Sequence, residues 1–196
     1  MSARRHARAA LVLAALVDAG CGVIGGGDTL SDAQQVIADL KIGPAEATGT
    51  DLAIVGAVDH EDRRYRVGEP IVLTAQVNKA AFVAVLRVMP NGAATLILPN
   101  RGQAATQVPA NSPLRIPPPG ASFEITADKP GVVLFEFIAS SRGDSWLFNR
   151  KPAGTSDFAE LGTTTRALAK DAAASLKIGN GSDTAFSHLT VRAAAR

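Results

Sequence analysis

The spacing of apolar residues changes several times along this chain, and each change predicts a different element. Ala9 to Val17 is an unbroken apolar run of nine residues, far short of the roughly 20 needed to cross a bilayer. From Ser31 to Lys41 the spacing is helical: Val36, Ile37 and Leu40 share one face. Ser31 can cap this helix, with Gln34 three residues on completing a capping box, and Gly43-Pro44 ends it. From Asp51 the period falls to two. Leu52 to Val58 reads as a first strand, and in Ile71 to Val77 the residues Ile71, Leu73, Ala75 and Val77 alternate against Val72, Thr74 and Gln76. Ala80 to Met89 is almost wholly apolar, which predicts a strand covered on both faces. Pro90-Asn91-Gly92 then gives a hairpin turn, with Ala94 to Leu98 returning and Pro99-Asn100 closing the strand.

Arg101 to Gly120 is rich in Pro, Gly and Asn and reads mostly as loop, with Ser112 to Ile116 as a short edge strand. Pro117-Pro118-Pro119 lacks the donors a ladder needs. Ser122 to Thr126 reads as a further strand. Val132 to Ala139 is the most strand-like run, with Val133, Phe135 and Phe137 on one face. Phe158 to Leu176 reads as a helix with Leu161, Leu168, Ala172 and Leu176 on one side, stopped by Gly179-Asn180-Gly181. Phe186 to Ala193 alternates again as a final strand. The expected fold is mainly β: an antiparallel Ig-like β-sandwich with an added C-terminal helix and a short N-terminal helix.

The start of the chain has its own logic. Arg4, Arg5 and Arg8 precede the apolar run, and Ala19-Gly20 precede Cys21, the only cysteine in 196 residues. A basic, then apolar, then small-residue order is that of a secretory signal peptide. A lone cysteine cannot form an internal disulfide, and its position resembles a bacterial lipobox, although Asp18 stands where leucine is usual. The expected division is a signal peptide over 1–20, a lipid-anchored tether with a short helix over 21–50, and a β domain over 51–196. Several buried acyl chains hold a protein durably. Gly22, in place of an aspartate that would favour inner-membrane retention, points to an outer-membrane anchor facing the periplasm.

Charge then narrows the partners. Three arginines and one aspartate precede Cys21, which leaves 17 basic and 17 acidic residues in the remaining chain. A neutral body lacks the basic footprint that nucleic acid requires, and it has no electrostatic attraction to anionic lipid. Aromatic residues make up 5% of the chain, so the core must rest on Val, Ile, Leu and Ala.

A set of short motifs recurs in a recognisable order: Tyr65-Arg66-Val67-Gly68-Glu69-Pro70-Ile71-Val72-Leu73, Val88-Met89-Pro90-Asn91-Gly92, Leu96-Ile97-Leu98-Pro99-Asn100, Ile116-Pro117, Pro130-Gly131 and Phe137-Ile138-Ala139-Ser140. In this order they resemble the bacterial DUF4384 family, a domain of unknown function, over about 59–142. The resemblance implies a small β-sandwich found in envelope proteins or beside caspase-like and kinase domains. It implies no catalytic residues.

No catalytic constellation is legible. His60, Glu61 and Asp62 are adjacent, and neighbouring strand residues point to opposite faces, so they read as a solvated charged turn and not as a converging metal site. Ser187 and His188 with Asp183 lack a nucleophile elbow and predict no triad. No phosphate-binding glycine motif is present, so neither nucleotide nor other cofactor is expected. Arg142-Gly143-Asp144 and Asn180-Gly181-Ser182 read as polar turns. Trp146, Phe148 and Phe158 flank a Gly/Ser/Asp-rich segment, where they either form a binding patch or close the end of the sandwich. Arg142, Trp146 and Phe148 are the contact candidates, since Trp and Arg are enriched among binding hot spots. The expected function is a non-catalytic envelope lipoprotein, lipidated at Cys21, presenting a sandwich to an envelope protein partner. The alternatives are a carbohydrate- or peptidoglycan-binding module and a secretion-system lipoprotein subunit.

Overall fold

The structure, a computed structural model, describes residues 29–38, 51–163, 166–177 and 184–195. The expected signal peptide, Cys21, Asp183 and the sequence Asn180-Gly181-Ser182 lie outside the described residues. The fold is mainly β. A three-stranded antiparallel sheet has the order β1-β3-β7, built from β1 (Ile54–Val58), β3 (Leu73–Val77) and β7 (Leu114–Ile116). The larger sheet has the order β2-β10-β8-β4-β5-β9. Its strands are β2 (Arg64–Arg66), β4 (Ala81–Val88), β5 (Ala93–Leu98), β8 (Gly131–Ser140), β9 (Ala159–Thr163) and β10 (Thr184–Ala194), with the short β6 (Gln107–Val108) pairing β4 off this path. All pairs are antiparallel except β2 with β10, which is parallel.

One cluster joins the two sheets. Ile54, Leu73, Ala75, Val77 and Ile116 from the small sheet meet Val83, Val85, Val133, Phe135, Phe137, Leu189 and Val191 from the large one. The period-two pattern of β3 supplies its inward side, buried at Leu73, Ala75 and Val77. Gly56 lets the layers approach, because a Cβ there would lie 2.3 Å from the Phe137 ring.

The opposite face of the large sheet is also covered, which explains why β4 is apolar except at Arg87. Ala84, Leu86, Leu96 and Ile138 pack against Leu147 and Phe148 of α2 (Trp146–Asn149). Val88, Ala94 and Leu134 pack against Ile37 and Ala38 of α1 (Asp32–Ala38) and Ala169 of α3 (Arg166–Lys177). The capping box forms as the sequence predicts: the Ser31 N–H donates to Gln34 Oε1 at 3.0 Å, and the Gln34 N–H donates to Ser31 Oγ at 3.3 Å. The Gln34 side chain, 1% exposed, also donates to the carbonyls of Val88 (3.0 Å) and Val132 (2.6 Å), fixing α1 on the sheet.

Three expected elements differ. The helix expected over Phe158 to Leu176 is split: 159–163 is edge strand β9, paired with β5, and the helix begins at Arg166. Gly162 sits at a φ of +79°, a conformation that a helix cannot contain. Ser122 to Thr126 is not a strand. Apart from a single bridge between Thr126 and Pro70 it is irregular, although Phe123 and Ile125 still alternate inward. The final strand is longer than expected and central: β10 pairs with β8 over ten residues and with β2 at its end.

Candidate functional site

The segment after β8 holds the three contact candidates, and the structure separates their surroundings. Arg142 is exposed, and its guanidinium pairs with Asp144 at 2.7 Å. Its N–H donates to Ser140 Oγ at 3.2 Å, which closes the turn. Trp146 is the first residue of α2, not a loop residue; Ser145 caps this helix by accepting the Leu147 N–H at 3.3 Å. Trp146 is half-buried, packed against the outer cluster, and its indole Nε1 is buried without a hydrogen-bond partner. Phe148 is 3% exposed and meets Phe82 at a centroid distance of 6.1 Å. It therefore serves as core and offers no free contact face. Phe158 stands apart, edge-on to Phe123 at 5.4 Å. Of the four side chains, only Arg142 is fully presented to solvent, and the aromatic residues close the molecule.

A second region brings more polar chemistry together. The turn from β1 into β2 places His60 flat against Tyr65, with ring centroids 4.4 Å apart and planes 5° apart. The Tyr65 hydroxyl donates to Asp59 Oδ1 at 2.7 Å and accepts the His60 N–H at 3.2 Å. Asp59 also accepts the Val72 N–H at 3.0 Å. Burial pushes the Asp59 carboxyl up, but the hydrogen bonds from Val72 and Tyr65 outweigh it and hold it below the usual carboxylate range. Burial first, and then the bond to Asp59, raises the Tyr65 phenol. His60 Nδ1 lies 2.9 Å from the Arg64 carbonyl and Nε2 lies 3.6 Å from Glu69 Oε1. The Arg64 carbonyl, then Asp59, Glu69 and Asp62, favour the imidazolium and raise this histidine above its ordinary value, against a smaller opposing cost of burial.

These residues border an open groove of about 910 Å³, lined by His60, Asp62, Arg64, Arg66, Glu69 and the end of β10 at Ala194, among others. That volume lies within the range of ligand-sized clefts. The alternation of β2 turns Arg64 and Arg66 outward and Tyr65 inward, where it is 2% exposed. The groove thus offers two cations and two carboxylates on a rigid strand edge. Among the described residues no group of three or more His, Cys, Asp or Glu side chains is placed to hold a metal. The charged turn at 60–62 is solvated at Glu61 and Asp62, while His60 is held by its stack. Sequence reading missed this groove as a site. The available signal was the charged-aromatic-charged triplet Arg64-Tyr65-Arg66 between acidic residues at 59, 62 and 69.

Two further charged side chains are buried. Arg87 is 9% exposed and donates to the Thr126 carbonyl at 2.7 Å; burial lowers its pKa, opposed by Asp128 and Glu160. Glu136, on β8, is 2% exposed, and burial raises its carboxyl to about 9.

Comparison of the chain with curated proteins and with solved structures gives no match. A family model does match residues 64–143, from β2 through β8 to the turn beyond it. The matched stretch omits β10, through which β2 joins the large sheet, so the folded body extends past it. The order of turn and strand motifs from Tyr65 to Ser140 and the β-rich structure agree with this match, in which residues 64–143 are similar to the family described as Domain of unknown function (DUF4384).

Proposed function

We propose that this chain is a non-catalytic envelope lipoprotein, anchored through Cys21, whose two-sheet body is an Ig-like sandwich that docks a protein partner in the β2 groove. The observation that carries the contact is the groove itself: an open cleft of about 910 Å³ in which Arg64 and Arg66 stand beside Asp62 and Glu69. Paired charges of both signs suit a polypeptide partner, where complementary charges fix register and suppress wrong partners. A rigid strand edge limits the ordering cost on binding. The shared core between the sheets supports the sandwich reading, and the basic-apolar-small start before Cys21 supports the anchor.

The test has two arms. A photo-reactive residue at Arg66 in cells should give one discrete cross-linked species, and Arg64→Glu in the same chain should abolish it while the thermal midpoint holds. Absence of a discrete species, or one indifferent to Arg64→Glu, would refute the groove as the contact. Fatty-acid labelling should mark the wild type and be lost in Cys21→Ser; an unlabelled wild type refutes the anchor without touching the groove.

A further inference from the structure

The edges of the two sheets are treated differently. On β2 the backbone groups that face away from β10 belong to Arg64 and Arg66, because Arg63 O accepts from Arg192 and the Val67 N–H donates to Ala194. All four of these outward groups are occupied, three by neighbouring side chains and the Arg66 carbonyl by the Glu69 N–H at 2.9 Å. The Arg64 N–H donates to Asp62 Oδ1 at 3.1 Å, the Arg64 carbonyl meets His60 Nδ1 at 2.9 Å, and the Arg66 N–H donates to Glu69 Oε2 at 2.7 Å. On β7 the outward Arg115 carbonyl accepts from Gln103 Nε2 at 3.1 Å. Natural sheets blunt their edges in this way to avoid pairing with other chains.

Among the described residues β1 has no such protection. The bonds from the Asn78 N–H to Ala53 O (3.2 Å) and from the Asp59 N–H to Val72 O (3.1 Å) fix the phase of the β1–β3 ladder. Odd-numbered residues bond to β3, so the N–H and C=O groups of Ile54, Gly56 and Val58 point outward. Among the described residues none of these groups has a partner on that side. The strand reads Ile-Val-Gly-Ala-Val, with no charge and no proline. Val55, 64% exposed, is the exposed large hydrophobic residue of the described chain.

We propose that β1 is a self-association edge, at which a second copy of this chain adds its own β1 antiparallel about a two-fold axis at Gly56. The outward positions 54, 56 and 58 are symmetric about 56, so Ile54 meets Val58 of the second copy and Gly56 meets Gly56, and every outward group of both strands is satisfied. In the intervening pairs Val55 lies beside Ala57 of the second copy on the solvent face, covering the exposed valine. No like charges oppose, which an arbitrary partner strand would not guarantee. The interface is isologous and closes at two copies, joining two small sheets into one of six strands. A five-residue edge is about 17 Å long, too short to bury the roughly 1,200 Å² of a tight interface, so the dimer is weak and reversible.

The experiment is sedimentation equilibrium of the full chain in detergent over a concentration series, together with disulfide trapping. The wild type should fit a monomer–dimer equilibrium. Val55→Lys, and separately Ala57→Lys, should weaken it by roughly tenfold or more with an unchanged thermal midpoint, since both side chains face solvent. A chain carrying Val55→Cys with Ala57→Cys should form a covalent dimer through a 55–57 bond. A wild type that stays monomeric throughout overturns the proposal. So does a dimer that persists in both lysine variants and gives no 55–57 disulfide, because it then forms through another surface.

Discussion

Glu136 offers the sharpest energetic test of this fold. It lies on β8 on the face that packs against the helices, between Leu134 and Ile138, with Leu86 and His188 as its cross-strand neighbours. It is 2% exposed, and its Oε2 has no hydrogen-bond partner. Burial disfavours the carboxylate and raises the pKa from an ordinary 4.5 to about 9. The folded-state value exceeds the unfolded one, so the folded protein holds a proton that the unfolded chain releases. The cost is absent below pH 4.5 and grows by about 1.4 kcal/mol per pH unit until the folded group ionises near pH 9. At pH 7 it comes to about 3 kcal/mol, and at pH 5 to under about 1 kcal/mol. Glu136→Gln keeps the size and neutrality of the buried group and removes the proton uptake. The variant should therefore be more stable by about 3 kcal/mol at pH 7, or about 6–12 °C in midpoint for a chain of this size. The advantage should shrink steeply by pH 5. Thermal and denaturant melts of both proteins at pH 5, 7 and 8.5 measure it. A gap that does not change with pH, or a variant less stable at every pH, would show that the carboxyl is not held neutral and would refute the reasoning.

Four other outcomes follow from the packing and the polar network. Phe135→Ala, at a residue with 0% exposure in the shared core, should cost about 3–5 kcal/mol in denaturant melts, whereas Val72→Ala, at a half-buried position, should cost much less. Gly56→Ala forces a methyl into the Phe137 ring and should cost about 1–3 kcal/mol, with part of the loss recovered by the smaller ring partner in Phe137→Leu. The His60 imidazole should titrate above 6.5 by NMR, and Glu69→Gln should lower its value; because the folded pKa is raised, its contribution is complete below pH 6.5 and disappears as the pH rises through the folded value. Gln34→Ala removes two bonds to the carbonyls of Val88 and Val132 and should raise hydrogen exchange in α1 well above that of β4, where equal protection would show that the helix is held otherwise.

What the sequence disclosed depended on how local each signal was. The alternation of β3, the hairpin at Pro90-Asn91-Gly92, the capping box at Ser31 and Gln34 and the single-face run of Val133, Phe135 and Phe137 all depend on residues a few positions apart. The almost wholly apolar character of β4 implied two covered faces, and both are found. The helix starts later than Phe158 because Gly162 and the threonines at 163–165 favour a strand end, although Leu161 falls in phase with Leu168, Ala172 and Leu176. The candidate site was less legible. Trp146 and Phe148 stand in a polar stretch that resembles a loop, but a covered outer sheet face needs apolar side chains, and the short helix supplies them there. The groove depends on β2 lying beside β10, a pairing across more than 120 residues that no local pattern encodes.

The two bonds from Gln34 also bear on how the proposed anchor would hold the domain. They hold α1 on the helical side of the large sheet, away from the small sheet. Whatever path the chain takes between Cys21 and Thr29, eight residues reach at most about 28 Å. On the proposed anchoring at Cys21, Thr29, just before α1, would stay within that reach of the bilayer. In that arrangement Gln34 would tie the anchored end of the chain to the sheet. Load on such a tether would pass to the β4 and β8 ends of the sheet through the Gln34 amide together with the packed Ile37 and Ala38.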